Sequence, residues 1–247
     1  EDAARAGLKQ YFHDHVYNNT ERTDLWKALS DASGKDISTL MTPWLTQSGQ
    51  PLLRVKQDGA SLQLSQQRFL LDGEDKTSLW PIPLLANVPF EPSIMTGRTL
   101  NLPYDDKAMP IFNADGVGHY IVDYEDEAAR KEMRQHVVKR SVGTLTRINL
   151  INDMLLLSRA GNYPLTDLLG MVTECSEEPR DAVWSMLSRV TAQASALTDG
   201  NTKVEDQLHL YRRNLAAHWY QQLGWTDLPK DDPNTRHLRT TALAHSI

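Results

Sequence analysis

The period of the hydrophobic pattern changes twice along this chain and divides it into three zones. In residues 1–49, apolar side chains recur three and four positions apart, which is the spacing of helices with one buried face. In residues 50–125, short apolar runs alternate with turn signals such as Asp58-Gly59, which predicts the strands of an antiparallel β-sandwich. In residues 126–247 the helical spacing returns, so we predict an array of α-helical hairpins similar to an α-solenoid.

Helix-breaking and helix-capping residues agree with this division. Gly34 is a predicted helix stop in the first zone. In the third zone, Gly161 ends one predicted helix and Pro164 begins the next, while Thr202 and Glu205 have the spacing of a capping box. The predicted fold is therefore multidomain: a short helical segment, then an antiparallel β-sandwich, then helical hairpins.

The helices of the first zone carry more apolar surface than they can bury among themselves. Seven large side chains lie on their predicted inner faces: Leu8, Tyr11, Phe12, Leu25, Trp26, Leu29 and Trp44. Three short helices cannot enclose them all. We therefore expect the apolar stripe of the first helix to form a self-association contact or to be partly disordered.

Composition argues against several classes of protein. The formal net charge of -6 disfavours a broad phosphate-binding face, so no nucleic-acid partner is expected. The single cysteine, Cys175, forms no internal disulfide, which slightly favours a reducing compartment such as the cytoplasm, although a protein without disulfides can also be exported and the compartment stays unknown. We find no run of about 18 apolar residues and no signal peptide, so no membrane segment is predicted.

No spacing typical of a catalytic or metal site is found. The eight histidines include no pair three or four residues apart, the spacing that lets two helical histidines face one zinc ion. His13 and His15 are two apart and point to opposite sides of a predicted helix. Cys175 lies at the end of an amphipathic helix, which predicts a buried, inert thiol. We therefore predict no catalytic residues, no metal ligands and no cofactor in this chain.

One charged cluster has two interpretations. Arg212 and Arg213, with Tyr211, His218 and Trp219, could contact a peptide carboxylate. A solvated charged face is the simpler interpretation of the same residues. The sequence therefore leaves the substrate-binding residues unknown.

Several segments carry recognisable motifs. Residues 41–51 read Met-Thr-Pro-Trp-Leu-Thr-Gln-Ser-Gly-Gln-Pro, residues 66–69 Gln-Gln-Arg-Phe, and residues 80–84 Trp-Pro-Ile-Pro-Leu. Residues 113–124 read Asn-Ala-Asp-Gly-Val-Gly-His-Tyr-Ile-Val-Asp-Tyr, and residues 147–153 Arg-Ile-Asn-Leu-Ile-Asn-Asp. In this order, and over nearly the whole chain, they resemble the aminopeptidase N family of zinc metallopeptidases, the gluzincins. The residues that carry the resemblance, for which we expect structural roles, are Trp44, Gln47, Gly49, Pro51, Phe69, Trp80, Pro83, Asn113, Gly118, Tyr120, Tyr124, Arg147, Asp153 and Gly161.

The resemblance implies a parent enzyme in which zinc activates a water to remove N-terminal residues from peptides. Residues 1–49 would be the helical end of its catalytic domain, 50–125 its β-sandwich domain and 126–247 the first part of its C-terminal helical domain. The family's zinc motif would precede residue 1, and its helical domain would continue past residue 247. We therefore expect an inactive internal fragment without zinc that shapes the substrate chamber.

Two departures and two alternatives accompany the resemblance. Ile121 stands where the family has an arginine, and His119 where it has a tyrosine. An interaction scaffold of the same ancestry without peptidase activity would have the same landmarks. A free-standing helical-repeat module is a further alternative, although such a module needs neither a sandwich nor an amphipathic first helix.

Overall fold

The computed structural model describes residues 2–75, 77–105 and 108–246. The first zone contains α1 (Asp2–Asp14), α2 (Arg22–Ser33) and α3 (Ile37–Thr46). The described residues of the second zone contain β1 (Pro51–Asp58), β2 (Ser61–Arg68), β3 (Ile82–Pro83), β4 (Ile94–Met95), β5 (Thr99–Pro103) and β6 (Ile121–Tyr124). Those of the third contain α4 (Glu127–Val138), α5 (Thr144–Arg159), α6 (Leu165–Glu174), α7 (Asp181–Thr198), α8 (Thr202–Leu223) and α9 (Pro233–Ser246).

Local chemistry fixes the ends of the first helices. Gly34 ends α2 in the left-handed conformation, with φ of 67°, and donates its N–H to the Ser30 carbonyl over 2.8 Å, which confirms the predicted stop. Asp36 begins α3 because its carboxylate accepts the Thr39 N–H at 2.9 Å. The backbones of α1 and α2 approach closely at Gly7, where a Cβ would lie 3.0 Å from Leu29.

The strands form a small mixed sheet of four strands in the order β5-β2-β1-β6. β1 pairs antiparallel with β2 from Pro51↔Arg68 to Asp58↔Ser61, and β2 pairs antiparallel with β5. β6, however, runs parallel to β1, with Leu52 opposite Ile121. The expectation of a wholly antiparallel arrangement is therefore wrong at this edge, because the long connection after β5 returns the chain to β1 in the same direction.

Proline limits the number of strands after β2. Six prolines occur between residues 81 and 110, and none of them has an N–H to donate to a neighbouring strand. Within the described residues, this region contributes β5 to the main sheet and two short strands, β3 and β4, to a separate antiparallel pair. The region nevertheless supplies much of the core, including the buried Ile82, Leu84 and Met95.

The third zone is helical, as predicted. Consecutive helices from α4 to α9 contact one another, and α7 also contacts both α5 and α9. Gly161 follows the end of α5 with φ of 76°, which confirms that predicted helix end. The start of α8 differs by one residue from the expected capping box, because the Asn201 side chain accepts the Val204 N–H while Glu205 accepts the Gly200 N–H at 2.8 Å.

None of the helices in the described part of the chain has both the length and the apolar content that a transmembrane span requires.

Candidate functional site

Asn113 organises the loop that leads into β6. Its backbone is left-handed, with φ of 52°, and its side-chain amide donates to the carbonyls of Gly118 and Tyr120 at 2.9 and 3.1 Å. Its Oδ1 accepts the Gly118 N–H at 2.7 Å. A Cβ on Gly118 would lie only 2.3 Å from the Tyr120 ring, so only glycine fits there. These contacts are structural, and they set the direction in which β6 begins.

Tyr124 and Asp153 fix β6 between its neighbours. The Tyr124 hydroxyl donates to the Pro110 carbonyl at 3.0 Å and accepts the Phe112 N–H at 2.9 Å, and burial raises the pKa of Tyr124. The Asp153 carboxyl of α5 accepts the Val122 N–H of β6 at 3.1 Å. Burial raises the pKa of Asp153 to about 8, because the charged form is poorly solvated there. The sheet is thereby attached to the first long helix of the third zone.

The side chains of Gln47 and Trp44 attach α3 to the second zone. Gln47 makes two hydrogen bonds to one residue: its Nε2 donates to the Leu79 carbonyl at 2.8 Å, and its Oε1 accepts the Leu79 N–H at 3.1 Å. The Trp44 ring lies 6.4 Å from the Trp80 ring and 6.3 Å from the His119 ring. An apolar cavity of about 350 Å³, lined by Leu40, Met41, Trp44, Pro81, Pro83, Leu85, Ile94, Val117, Gly118 and His119, opens beside these rings.

Four further residues of the family resemblance lie in or beside the strands of the second zone. Gly49 has φ of 89°, and Pro51 and Pro83 lie in strands β1 and β3. Phe69 donates its backbone N–H to the Gln50 carbonyl at 2.9 Å.

The Arg147 side chain makes a buried ion pair. It donates to Glu178 at 2.9 Å and to the Val142 carbonyl at 3.2 Å, and both side chains of the pair are buried.

A groove of about 570 Å³ lies between α7, α8 and α9. We call it the α7–α9 groove. Most of its lining residues are small or carry hydroxyl groups: Ser185, Ser188, Thr191, Ala192, Ser195, Thr240, Thr241 and Ala244, together with Arg212 and His245. Arg212 is the one guanidinium among these residues, and they include no carboxylate.

Hydrogen bonds in the groove fix the tautomer of His245. The Arg212 Nε–H donates to His245 Nδ1 at 3.2 Å, so Nδ1 is an acceptor and carries no proton. Burial and the nearby positive charge of Arg212 lower the pKa of His245 to about 4, so the ring is neutral at pH 7. Its proton is therefore on Nε2, which lies 2.6 Å from Ser188 Oγ.

This arrangement does not activate Ser188 as a nucleophile. The Ser188 hydroxyl donates to the Trp184 carbonyl at 2.9 Å and accepts from His245. A general base would have to accept the serine proton, whereas His245 Nε2 already carries one. The Ser–His pair instead connects α7 to α9 and orients the Arg212 guanidinium.

The residues of the charged cluster around Arg212 and Arg213 do not share one surface in the structure. Arg212 lines the groove, whereas Arg213 is exposed. Tyr211 donates its hydroxyl to the Leu169 carbonyl at 2.7 Å, and His218 and Trp219 contact each other edge to face. Only Arg212 is therefore placed to meet a ligand in this groove.

The sequence analysis did not identify two of the groove residues, Ser188 and His245. The available signal was the recurrence of serine, threonine and alanine at positions 185, 188, 191, 192 and 195 along one side of α7. His245 gave no local signal, because its partners lie on two other helices.

The other reactive residues considered in the sequence have ordinary surroundings. His13 is exposed beside Asp14, and Cys175 is buried, as predicted, with burial raising the pKa of its thiol to about 12. In the part of the chain that the structure describes, no group of three or more His, Cys, Asp or Glu residues is placed to hold a metal ion.

Comparison with known proteins identifies relatives across the whole chain. A family model described as the ERAP1-like C-terminal domain matches residues 110–247, and a model of the peptidase family M1 domain matches residues 1–44. The chain is 29% identical over 255 residues to an aminopeptidase N of Lactococcus lactis subsp. lactis, which covers 100% of the chain and 30% of that protein.

Relatives from eukaryotes have similar coverage. Aminopeptidase 2 of Candida albicans is 29% identical over 256 residues, covering 99% of the chain and 27% of the relative. Aminopeptidase M1-D of Oryza sativa subsp. japonica is 26% identical over 235 residues, covering 88% and 27%. The chain thus spans about 30% or less of the length of these relatives.

Proposed function

This chain belongs to the family of ERAP1-like C-terminal domains, and we propose that it is the non-catalytic part of a zinc-dependent aminopeptidase that removes N-terminal residues from peptides. The observation that carries the proposal is the continuous similarity of the chain to proteins named aminopeptidase N. The M1 peptidase model at residues 1–44, followed by the ERAP1-like model at 110–247, supports the same order of parts.

In this proposal zinc belongs to the parent enzyme. The sequence contains no His-Glu-x-x-His motif, and the described residues do not fit a zinc site. Zinc chemistry is therefore assigned to the rest of the parent enzyme, and none of its steps to residues of this chain.

The role proposed for this chain is architectural. Residues 1–49 would end the catalytic domain, residues 50–125 would form a β-sandwich spacer, and residues 126–247 would begin a helical wall over the catalytic face. The contacts of Gln47 with Leu79 and of Asp153 with Val122 support the role, because they hold neighbouring parts at fixed positions. Such a wall would admit peptides and keep folded proteins from the zinc.

Hydrolysis of a chromogenic amino-acid amide tests the proposal. The 247-residue chain with added zinc is expected to give no turnover. A longer natural polypeptide that contains this chain and a His-Glu-x-x-His motif is expected to give turnover that a chelator abolishes. Chelator-sensitive turnover by the chain alone would contradict the proposed role, and an inactive longer polypeptide would favour the scaffold alternative.

We also propose that the exposed stripe of α1 mediates self-association of the chain. Leu8 and Phe12 on α1 expose 42% and 66% of their surface, and Val16, in the turn after the helix, exposes 53%. Burying one such side chain contributes roughly 1.5–3 kcal/mol. Sedimentation is expected to show a dimer that Phe12→Gln dissociates, whereas Leu197→Gln, at an exposed leucine on α7, leaves it intact. A monomeric wild-type chain would refute this contact.

A further inference from the structure

The two edges of the four-stranded sheet differ in how their outward backbone groups are satisfied. The edges are β6 and β5, because the strand order is β5-β2-β1-β6. At β6, the Val122 N–H donates to the Asp153 carboxyl of α5 at 3.1 Å, and the Tyr124 carbonyl accepts the Arg130 Nε–H of α4 at 2.6 Å. An incoming strand would have to displace both side chains, so the β6 edge is closed.

The β5 edge is open. Immediately before β5, the Gln66 N–H donates to the Arg98 carbonyl at 2.9 Å, so the antiparallel alternation places the hydrogen bonds to β2 at the even-numbered residues of β5. Thr99 and Asn101 therefore direct their N–H and C=O groups away from β2. Both residues are exposed, and among the described residues these backbone groups have no hydrogen-bond partner.

Charge does not protect this edge. Natural edge strands commonly carry a lysine, a bulge or a covering element that keeps other chains away. The five residues of β5 include no charged side chain, and their one proline, Pro103, stands at the end of the strand. Arg98, which precedes β5, directs its guanidinium inward to the carbonyls of Gln66 and Ser78 at 3.2 and 3.1 Å. The outward groups of β5 thus remain available to a ligand.

The arrangement of these groups selects the chemical class of the ligand. Each outward residue offers one donor and one acceptor, and two residues of a strand span roughly 6.8 Å. Phosphates present mainly acceptor oxygens and would leave the two carbonyls unsatisfied. The backbone of an extended peptide supplies both kinds of group at the same repeat.

The side chains of β5 add a preference for alternation. Leu100 is half-buried and Leu102 is buried on the core side of the strand, whereas Thr99 and Asn101 lie on the solvent side. Residues opposite each other in a pair of strands share one face of the sheet. A peptide that alternates apolar and polar residues therefore fits best, with an apolar side chain beside Leu100.

We propose that β5 binds an extended peptide as an added strand, paired through the backbone groups of Thr99 and Asn101. A second copy of the chain is the less suitable occupant, because stable dimers bury roughly 1,200 Å² or more and a five-residue strand supplies only a small part of that area. This inference rests on the proposed function, because the peptide is one on which the parent enzyme acts, held away from the zinc.

Fluorescence anisotropy with three peptides tests the edge. The first is the amide of fluorescein-Gly-Thr-Val-Thr-Val-Thr, whose valines take the apolar side beside Leu100 and whose threonine N–H groups then point at β5. The second has N-methyl groups on its last two threonines, and the third has them on both valines, whose N–H groups point to solvent. The 247-residue chain is measured in a chelator, so that the result does not depend on zinc or on peptidase activity.

The positions of the N-methyl groups distinguish strand pairing from simple apolar contact. The N-methyl-threonine peptide is expected to bind at least about tenfold more weakly than the first peptide, because it lacks the N–H donors that the carbonyls of Thr99 and Asn101 accept. The N-methyl-valine peptide, which is equally apolar, is expected to keep its affinity within about twofold.

Variants at Asn101 test the same contact from the protein. Asn101→Pro removes one outward N–H but leaves the hydrogen bonds of Leu100 and Leu102 to β2, and it is expected to weaken the first peptide at least about tenfold. Asn101→Ala is the matched control, because it changes the side chain and keeps the backbone, so its affinity should be that of the wild type. Urea denaturation checks that both variants fold, and the N-methylated peptides on the wild type decide the question if Asn101→Pro does not.

The inference is wrong if the wild type binds none of the peptides, if both N-methylated peptides bind equally, or if a folded Asn101→Pro variant keeps wild-type affinity. A dimer that Asn101→Pro dissociates and Phe12→Gln does not would show that a second copy covers the edge, and would also overturn the inference. Peptidase activity of the longer polypeptide is measured separately, so either proposal can fail alone.

Discussion

Replacing Asp153 with asparagine is expected to remove a large part of the pH dependence of stability. The buried carboxyl group accepts the Val122 N–H at 3.1 Å, and burial raises its pKa from an ordinary 3.8 to about 8. Asparagine keeps an oxygen that accepts the same N–H, but it has no proton to lose. The variant therefore changes the titration while preserving the contact between α5 and β6.

The direction in which stability changes with pH follows from proton binding to Asp153. Between about pH 4 and pH 8 the folded protein holds a proton on Asp153 that the unfolded chain releases. The stabilisation is therefore fully present below pH 4 and is lost as the pH rises through 8. One pKa unit corresponds to about 1.4 kcal/mol, so this group alone costs the wild type on the order of 3 kcal/mol between pH 5 and pH 7.

Urea denaturation at a series of pH values measures the effect. Asp153→Asn should match the wild type below about pH 4 and be the more stable protein at pH 8, with an unchanged m-value. Asp153→Ala should be less stable at low pH by about 1–3 kcal/mol, because the Val122 N–H loses its partner. Asp206→Asn, at an exposed site on α8, is the control, and its unfolding free energy should depend on pH as that of the wild type does. If the unfolding free energies of the wild type and Asp153→Asn change equally with pH, the reasoning is refuted. Burial also raises the pKa of Asp123, but this residue contributes equally to both proteins.

Three further changes test the contacts around the sheet and the helices. Arg147→Ala should destabilise the chain by about 3–5 kcal/mol in denaturant, because it leaves the buried Glu178 carboxylate unpaired. Gly118→Ala should cost about 1–3 kcal/mol, since its Cβ meets an aromatic ring at 2.3 Å, whereas Gly170→Ala, with nothing within 4 Å, should stabilise by about 0.5–1 kcal/mol. The Cys175 thiol should react with a thiol reagent only after unfolding, because it is buried and its pKa is raised to about 12; rapid reaction of the native chain would contradict that assignment.

The sequence predicts much of the fold because helix periods and turn residues act locally. Gly34 and Gly161 end helices where their conformational freedom is needed, and both ends follow from the residue type alone. The direction of β6 does not follow in this way. The side chains of Ile121 to Tyr124 fit a strand of either direction equally well. The parallel pairing with β1 is set by a connection whose path depends on tertiary contacts.

The sequence also predicts the structural residues better than the groove. Asn113 and Gly118 satisfy one strict local geometry, in which a left-handed asparagine makes three hydrogen bonds around a glycine that has no room for a Cβ. Such positions tolerate few residue types, so they are visible in a motif. Arg212, by contrast, is one of two adjacent arginines, and only the packing of α8 decides which of the two enters the groove.

The Arg212 network gives the α7–α9 groove a support that connects three helices. Ser188, Arg212 and His245 come from three different helices, and each hydrogen bond between them joins one helix to another. If His245 were protonated, its Nδ1 would carry a proton opposite the Arg212 Nε–H, so the network would lose that hydrogen bond and place two positive charges side by side. A pKa near 4 keeps that form rare at neutral pH. The neutral His245 ring therefore keeps α7, α8 and α9 connected through these two hydrogen bonds at neutral pH.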